Sequence, residues 1–378
     1  TPLLPAKGHR TDMIACRWHR TERLAAMGTC ALLVLSTTTL TMAGDTTAQV
    51  TAPALERIAF GSCAKQDQPQ PIWDTIIEQR PDLFLFIGDN IYADTDNMAV
   101  MRAKYRKLAE QPGYRKLLAT CPVLAVWDDH DYGRNDAGVE YPQKVESQRT
   151  FLEFFNVPQD SPTRRRPGIY DAKVFGPHGR RVQVILLDTR YFRSPLKRHP
   201  QGRPEGRGPY IPSDDPTATM LGEAQWQWLR EQLKQPAEVR VIVSSIQVIP
   251  DEHGWECWGN LPRERDRLLR LIADTQAGGV IFISGDRHHA ELSRLVEDGR
   301  YPLYDLTSSG LNLGDGSGVN EPNRYRVGPT VVRRVPNFGL ITIDWQESQP
   351  SIRLQVHNAE GKPFIDYKVP LSDLKPRR

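Results

Sequence analysis

The chain has 378 residues, 39% of them hydrophobic and 25% charged, which is enough to bury the core of one large α/β domain or of two smaller ones. This composition excludes a disordered or fibrous protein. The formal net charge of +3 is too small to indicate nucleic-acid binding by itself.

Residues 1–48 have the order that is typical of an export signal. Basic residues precede an uncharged run at 24–35, and small residues that end at Ala43 or Ala48 follow it. Met13 is the expected start, with flanking sequence before it. The apolar run is too short for a membrane span, and no second long run follows. The sequence therefore predicts an exported protein, periplasmic or extracellular, with no membrane span in the mature chain; an uncleaved anchor is the alternative.

Three cysteines follow this segment, namely Cys63, Cys121 and Cys257. An odd number in an oxidising compartment means that at least one is outside any intramolecular disulfide. Cys121 and Cys257 are either paired or free. An unpaired cysteine in an exported protein calls for a specific role.

From residue 56 onward, the hydrophobic pattern alternates between strands and helices. Strands are predicted at 57–63, 82–89, 121–131, 181–190, 239–249 and 278–289. Helices are predicted at 71–79, 222–235 and 262–275. Residues 338–371 are predicted to form three antiparallel strands with turns at 348–350 and 360–362. The pattern predicts an α/β fold with appended β structure.

Four of the predicted strands end in polar residues. These ends are Gly-Ser-Cys at 61–63, Gly-Asp-Asn-Ile-Tyr at 88–92, Asp-Asp-His-Asp at 128–131 and Gly-Asp-Arg-His-His at 285–289. In α/β sheets, ligands bind at the carboxyl ends of the strands. Carboxylates gathered there repel one another unless cations neutralise them, so the pattern predicts a site for several metal ions. Any one of these clusters could alternatively be an ordinary turn or cap.

Six motifs make the sequence resemble the PhoD-like alkaline phosphatases, a branch of the calcineurin-like metallophosphoesterases. They are FGSC, GDNIYAD, WDDHD, LDTRYFR, WECWGNLPRERDRLL and SGDRHH, in that order between residues 56 and 312. The resemblance implies a four-layer α/β/β/α sandwich with mixed sheets, in a single catalytic domain over 49–378. Members known in detail carry a further N-terminal β-sandwich domain, so we expect a short form here.

The resemblance implies an iron site. Cys63 stands where the wider superfamily has an Asp-x-His metal pair, and Tyr92 stands where it has a ligating carboxylate. Thiolate and phenolate donors suit Fe(III) better than Mg²⁺ or Zn²⁺. Asp286 is expected to complete the iron site, and His288 to bind metal or orient phosphate. The alternative for Tyr92 is a buried aromatic residue with a satisfied hydroxyl group.

The resemblance also implies one or two Ca²⁺ ions. Asp89 is expected to bridge the metals, and the oxygens of Asp89 and Asp129 suit the harder cation. Other divalent metals could replace either ion.

Several neighbouring residues are predicted to contact the substrate. His130 is expected to contact the phosphate or to protonate the leaving oxygen; bracing of its loop is the alternative. Asn90, Asp131 and Asn135 are candidates for calcium or phosphate binding, although the family has an adjacent Asn pair where this chain has GRNDAG. His289 is an alternative to His288 in the same turn.

Arg190 and Arg193 could bind phosphate oxygens through their planar guanidinium groups. Arg190 could alternatively pair with Asp188. The segment between Phe192 and Met220 is long and rich in Pro, Gly, Arg and Lys, so it is either a basic flap over the site or a solvated insertion. Likewise, Trp255 and Trp258 either wall the cleft mouth or pack in the core.

The resemblance thus implies an exported metal-dependent phosphatase, with phosphate monoesters, diesters or both as the expected substrates. Attack by a metal-activated water molecule needs no covalent intermediate. The expected role is phosphate scavenging, on a phosphorylated small molecule or polymer, by a monomer without specific nucleic-acid binding. The alternatives are a phospholipase-like or nuclease-like phosphodiesterase, and a non-catalytic binding protein that retains its metals.

Overall fold

The fold is built on two mixed β-sheets. The computed structural model describes residues 53–313 and 321–376, apart from the side chains at 329 and 330. The strands are β1 (Arg57–Gly61), β2 (Leu83–Ile87), β3 (Val123–Val126), β4 (Asp171–Phe175), β5 (Val182–Leu186), β6 (Val239–Val243), β7 (Val280–Ser284), β8 (His289–Leu295), β9 (Leu303–Ser308), β10 (Arg326–Arg333), β11 (Asn337–Asp344), β12 (Ser351–Asn358) and β13 (Pro363–Pro370). The helices are α1 (Ile72–Glu78), α2 (Met98–Glu110), α3 (Pro112–Thr120), α4 (Asp129–Tyr132), α5 (Lys144–Phe154), α6 (Gly222–Leu233) and α7 (Pro262–Asp274).

The first sheet has the strand order β13-β12-β11-β1-β2-β3, and the second has the order β10-β8-β9-β7-β6-β5-β4. Strands β1, β2 and β3 are mutually parallel, as are β5, β6, β7 and β9. An isolated parallel bridge between Ser62 and Ser309 joins the two sheets just beyond β1 and β9. The carboxyl ends of the central strands of both sheets therefore meet at one place.

The sheets and helices pack in layers because the strands are apolar and each helix has a stripe of apolar residues on one face. Strands β2 and β7 are buried along their whole length, as expected for parallel strands covered on both faces. On the first sheet, the ring of Trp73 in α1 packs edge-on against Phe84 and Phe86, at centroid distances of 5.6 and 5.7 Å. On the second sheet, Gln183 Nε2 of β5 donates to Gln232 O of α6 at 2.9 Å. Helices thus cover the outer faces of both sheets.

The predicted α/β class with two mixed sheets is confirmed, and the last three strands, β11 to β13, form the predicted antiparallel meander. Helices α2, α3 and α5 and strands β4, β9 and β10 are absent from the sequence prediction, as is β8 beyond His289. The strand predicted over 121–131 is wrong at its end, because β3 stops at Val126 and α4 begins at Asp129. The predicted export segment and its cleavage positions lie outside the described residues, so they remain predictions. Among the helices of the described chain, none is long and apolar enough to cross a membrane.

Candidate metal centre

The backbone is strained where the central strands end. Cys63, Asp89, Asp286 and His288 have φ angles of 61°, 50°, 68° and 51°, in the left-handed region that residues with a Cβ seldom adopt. Such residues cluster at functional sites, where the surrounding structure holds them in place. Gly88 has a φ of 110°, and a Cβ there would lie 2.5 Å from Asp128 Cβ. These conformations bring side chains from separate strands close together.

The first group of side chains is formed by Cys63, Asp89, Tyr92 and His288. Candidate ligand atoms of Cys63, Asp89 and His288 all lie within 4.8 Å of one another. The Tyr92 hydroxyl is 3.2 Å from Asp89 Oδ2 and 3.0 Å from His288 Nε2. The Cys63 thiol is 3.4 Å from the same Asp89 oxygen. The structure therefore brings together four of the six predicted metal ligands in one cluster.

The second set is made of carboxylates around Asp129. Three groups of ligand atoms contain it, each within 4.8 Å: Asp89, Asp129 and His130; Asp128, Asp129 and Asp286; Asp129, Asp136 and Glu256. Asp286, which the resemblance assigns to the iron site, forms a candidate ligand group with Asp128 and Asp129. Because Asp89 belongs to both sets, the two sites are adjacent.

Burial favours the protonated forms of these groups when no cation is bound. It raises the pKa of the Cys63 thiol to about 11, and it raises the pKa of Asp89 and of Asp286 well above the usual range. Repulsion between neighbouring acids acts in the same direction for both carboxyl groups. Without a cation these groups keep their protons, whereas a bound metal ion favours the ionised forms.

The carboxylates also have unused binding capacity. Asp128 Oδ2 is buried without a hydrogen-bond partner. The two Glu256 oxygens accept no hydrogen bond, but each lies within ion-pair distance of a buried arginine. Buried charged groups normally satisfy such atoms with hydrogen bonds or metal ions. The donor set therefore fits a hard cation at the carboxylates and a softer one at the thiol and phenol.

We predict that the metal-free protein loses stability as the pH rises. Burial raises the pKa of Asp128 to about 6, of Glu256 to about 7 and of Asp131 to about 8. Between about pH 4, where these acids titrate in the unfolded chain, and about pH 8, the folded state binds more protons, so the free energy of unfolding falls with rising pH. Thermal unfolding of chelated protein across this window measures the effect, and added Ca²⁺ should reduce it. A flat profile for the chelated protein would contradict the prediction.

Arg190 and Arg193, which are predicted to bind phosphate, lie among carboxylates in the structure. Both side chains are fully buried. Arg190 Nε donates to Asp128 Oδ1 at 2.6 Å, and its Nη1 lies 2.6 Å from Glu256 Oε2. Arg193 Nε lies 3.1 Å from Glu256 Oε1, and its Nη1 donates to Ser194 O at 2.8 Å. The alternative pairing of Arg190 with Asp188 involves only the Arg190 backbone N–H, 3.0 Å from Asp188 Oδ1.

Other predicted contact residues also have structural partners. The buried Asn90 side chain donates to Val126 O at 2.8 Å and to Asp131 Oδ2 at 2.6 Å, so both residues brace the loop. Asn135 is exposed. His289 is buried and lies 3.6 Å from Glu291 Oε1, outside the candidate ligand groups of the described residues.

The sequence prediction assigns no individual role to Asp128, Asp136 or Glu256. Asp128 belongs to the predicted strand end at 128–131 and precedes Asp129 in the WDDHD motif. Asp136 directly follows the predicted Asn135, and its backbone N–H donates to Asp129 Oδ2 at 2.7 Å. Glu256 lies in the WECW motif, in which the sequence prediction concerns only the two tryptophans. Trp258 is fully buried and Trp255 is half-buried, which assigns Trp258 to the core.

All three described cysteines are free and buried. The open question about Cys121 and Cys257 is thereby answered for this structure, because no disulfide joins them. Cys63 is the one that lies with the candidate metal ligands.

Two solved structures share the fold. The structure of PhoD matches 84% of this chain and 72% of its own, with a TM-score of 0.61 and 17% identity. A dimetal phosphatase from Danio rerio matches 84% of this chain and 99% of its own, with a TM-score of 0.52 and 12% identity. The fold is thus the one found in dimetal phosphatases.

The model of the PhoD-like phosphatase family matches residues 58–314, so the chain belongs to that family. Alkaline phosphatase D from Bacillus subtilis (strain 168) is 23% identical over 289 residues, which are 66% of this chain and 48% of that protein. The chain therefore spans about half the length of this curated relative. The family expected from the six sequence motifs is confirmed.

Proposed function

We propose that the protein is a metal-dependent phosphoric ester hydrolase, acting on phosphate monoesters, diesters or both. One observation carries the proposal: the thiol, phenol and imidazole around Asp89 adjoin the carboxylates around Asp129. A protein that binds phosphate without hydrolysing it needs fewer ionisable ligands, held at less cost in backbone strain. Family membership supports the same class of activity.

The proposed metals are one Fe(III) and one or two Ca²⁺ ions. Cys63, Asp89, Tyr92 and His288 would hold the iron, because thiolate and phenolate are strong donors for Fe(III). Asp286 would contribute to either site. The oxygens of Asp129 and its neighbours would hold calcium. Iron bound by such donors should give the protein a visible colour.

Bound cations would supply charge neutralisation for the phosphate oxygens and would lower the pKa of an attacking water molecule. The role that we assign to His130 is proton donation to the leaving oxygen. Its Nδ1 lies 2.8 Å from both carboxylate oxygens of Asp94, and its ring lies 4.3 Å from that of Tyr92. These contacts fix the ring, and Nε2 has no hydrogen-bond partner among the described residues.

The leaving group distinguishes this role from simple bracing of the loop. For His130→Gln we expect kcat to fall about 100-fold or more with an alkyl phosphate, because general-acid catalysis contributes about 10²- to 10⁴-fold. With p-nitrophenyl phosphate the loss should be much smaller, since p-nitrophenolate leaves without a proton. The exposed His178 provides a control, because His178→Gln should leave both rates unchanged. Equal losses for the two substrates would argue against proton donation.

Turnover of p-nitrophenyl phosphate and of bis(p-nitrophenyl) phosphate tests the proposed function. Both are assayed with Fe and Ca²⁺ supplied, and again after chelation. Preference for the diester would favour the phosphodiesterase alternative. No turnover of either ester by the metal-loaded protein would refute the enzymatic proposal and leave the binding alternative.

The export pattern of residues 1–48 supports a location outside the cytoplasm, where we propose that the enzyme releases phosphate for uptake. Fractionation of cells that express the whole chain, with an immunoblot for the protein, tests the location. Retention in the cytoplasm would refute export without affecting the hydrolytic proposal.

A further inference from the structure

The two arginines expected to hold phosphate are occupied elsewhere. Arg190 and Arg193 are fully buried, and both pair with Glu256. Breaking those pairs to bind substrate would leave Glu256 buried without a partner, which is costly. An arginine that contacts the phosphate without breaking these pairs is therefore expected on another part of the chain.

The segment before Met220 brings such a cation to the carboxylates. Residues 197–211 form a hairpin, called here the flap hairpin, with an isolated antiparallel bridge between Arg198 and Tyr210. His199 N donates to Pro209 O at 2.8 Å, and Ile211 N donates to Lys197 O at 3.0 Å. The hairpin is thus held by backbone hydrogen bonds on both sides of the bridge.

The flap hairpin is fixed to the segment that carries Glu256. Gly208 N donates to His253 O and Tyr210 N donates to Gly254 O, both at 2.8 Å. A Cβ at Gly208 would lie 2.2 Å from Gly254 O, so glycine is required for this approach. The attachment holds the hairpin beside the three carboxylates of Asp129, Asp136 and Glu256.

Tyr210 connects the hairpin with that group directly. Its hydroxyl donates to Asp136 Oδ2 at 2.5 Å. Arg198 lies over the Tyr210 ring, with its guanidinium carbon 5.2 Å from the ring centroid, and its Nη2 is 3.4 Å from the Tyr210 hydroxyl. One hydroxyl group therefore separates the Arg198 guanidinium from a carboxylate of the centre.

Arg198 differs from Arg190 and Arg193 in its exposure and in its partners. It is exposed, and within the described part of the chain it forms no ion pair. The adjacent Lys197 is also exposed, but its Nζ is bound to Asp214 at 2.8 Å. The Arg198 guanidinium consequently has donors available for an anion.

We propose that Arg198 binds a non-bridging oxygen of the substrate phosphate, so that the flap hairpin supplies the arginine of the active centre. A guanidinium group suits this role because its planar donors match two phosphate oxygens, and Tyr210 limits the orientations of the side chain. The inference rests on the proposed function of the metal centre and adds to it the residue that recognises phosphate.

Kinetics of Arg198→Ala, Arg198→Lys and Lys197→Ala test the assignment. For Arg198→Ala we expect kcat/KM for p-nitrophenyl phosphate to fall about tenfold and the inhibition constant of inorganic phosphate to rise by a similar factor. This factor is at the lower end of the range for a charge-assisted hydrogen bond, because the site is exposed. Arg198→Lys should recover part of the loss. Lys197→Ala should match the parent, and unchanged thermal unfolding would show that the variants are folded.

Binding of inorganic phosphate to the metal-loaded protein, measured by calorimetry, separates this inference from the proposed function. If the parent hydrolyses neither ester but binds phosphate, and Arg198→Ala weakens that binding about tenfold, the inference stands and the hydrolytic proposal fails. Phosphate binding that is absent in the parent, or equal in parent and Arg198→Ala, would overturn the role of Arg198. Equal losses in Arg198→Ala and Lys197→Ala would also overturn it, because they would reflect the general charge of the hairpin.

Discussion

Replacement of Cys63 by alanine is expected to lower kcat/KM for p-nitrophenyl phosphate by more than about 100-fold and to remove the iron. Loss of a group that only supports a metal ligand already costs about 10- to 100-fold, so loss of a ligand should cost more. The thiol lies 3.4 Å from Asp89 Oδ2. Asp89 also belongs to the second set of carboxylates. Metal analysis and the visible absorption spectrum measure the loss of iron independently of activity.

Cys121 and Cys257 provide controls for this prediction. Both are free and buried, as Cys63 is, but neither belongs to a candidate ligand group of the described chain. Alanine at either position should reduce stability and leave the iron content unchanged. If Cys63→Ala kept its colour, its iron and its activity, the thiol would be a packing residue and the proposed iron site would be wrong.

Replacement of Arg190 by methionine is expected to lower the free energy of unfolding by about 3–5 kcal/mol, the usual cost of breaking a buried ion pair by removing one partner. The change leaves Asp128 buried without its arginine and leaves Glu256 with Arg193 alone, while methionine keeps much of the arginine volume. Chemical denaturation of the metal-loaded protein measures the loss.

Arg149 offers a matched surface control. It pairs with Glu146 at 2.8 Å, with 60% of its side chain exposed, so Arg149→Met should change stability by less than about 1 kcal/mol. The kinetics and unfolding of Arg190→Met together distinguish a structural role of Arg190 from the predicted phosphate contact. A raised KM with normal unfolding of Arg190→Met would restore the phosphate contact and contradict the structural role.

The strand ends could be predicted from the sequence because each consists of an apolar run followed directly by polar residues. That rule places Cys63, Asp89, Asp129 and Asp286 at one edge without any knowledge of distances. Helix α2 is absent from the prediction although its buried side chains, Met101, Tyr105 and Leu108, are spaced as on one helix face, with basic residues between them.

The remainder of the centre depends on contacts between segments that are distant in the chain. Glu256 meets Arg190 and Arg193 across 66 and 63 positions, and Tyr210 meets Asp136 across 74 positions. In the sequence, an arginine that is buried in an ion pair cannot be distinguished from one that faces substrate. Burial decides this distinction, and burial is a property of the whole fold.

The left-handed conformations at Cys63, Asp89, Asp286 and His288 have a consequence for the evolution of the protein. Glycine adopts such conformations without steric cost, so at each of these positions the residue needed for chemistry is poorer for the backbone than glycine. Mutational drift under selection for stability alone would therefore tend to remove the metal ligands early. Their presence together indicates continued selection for what the centre does.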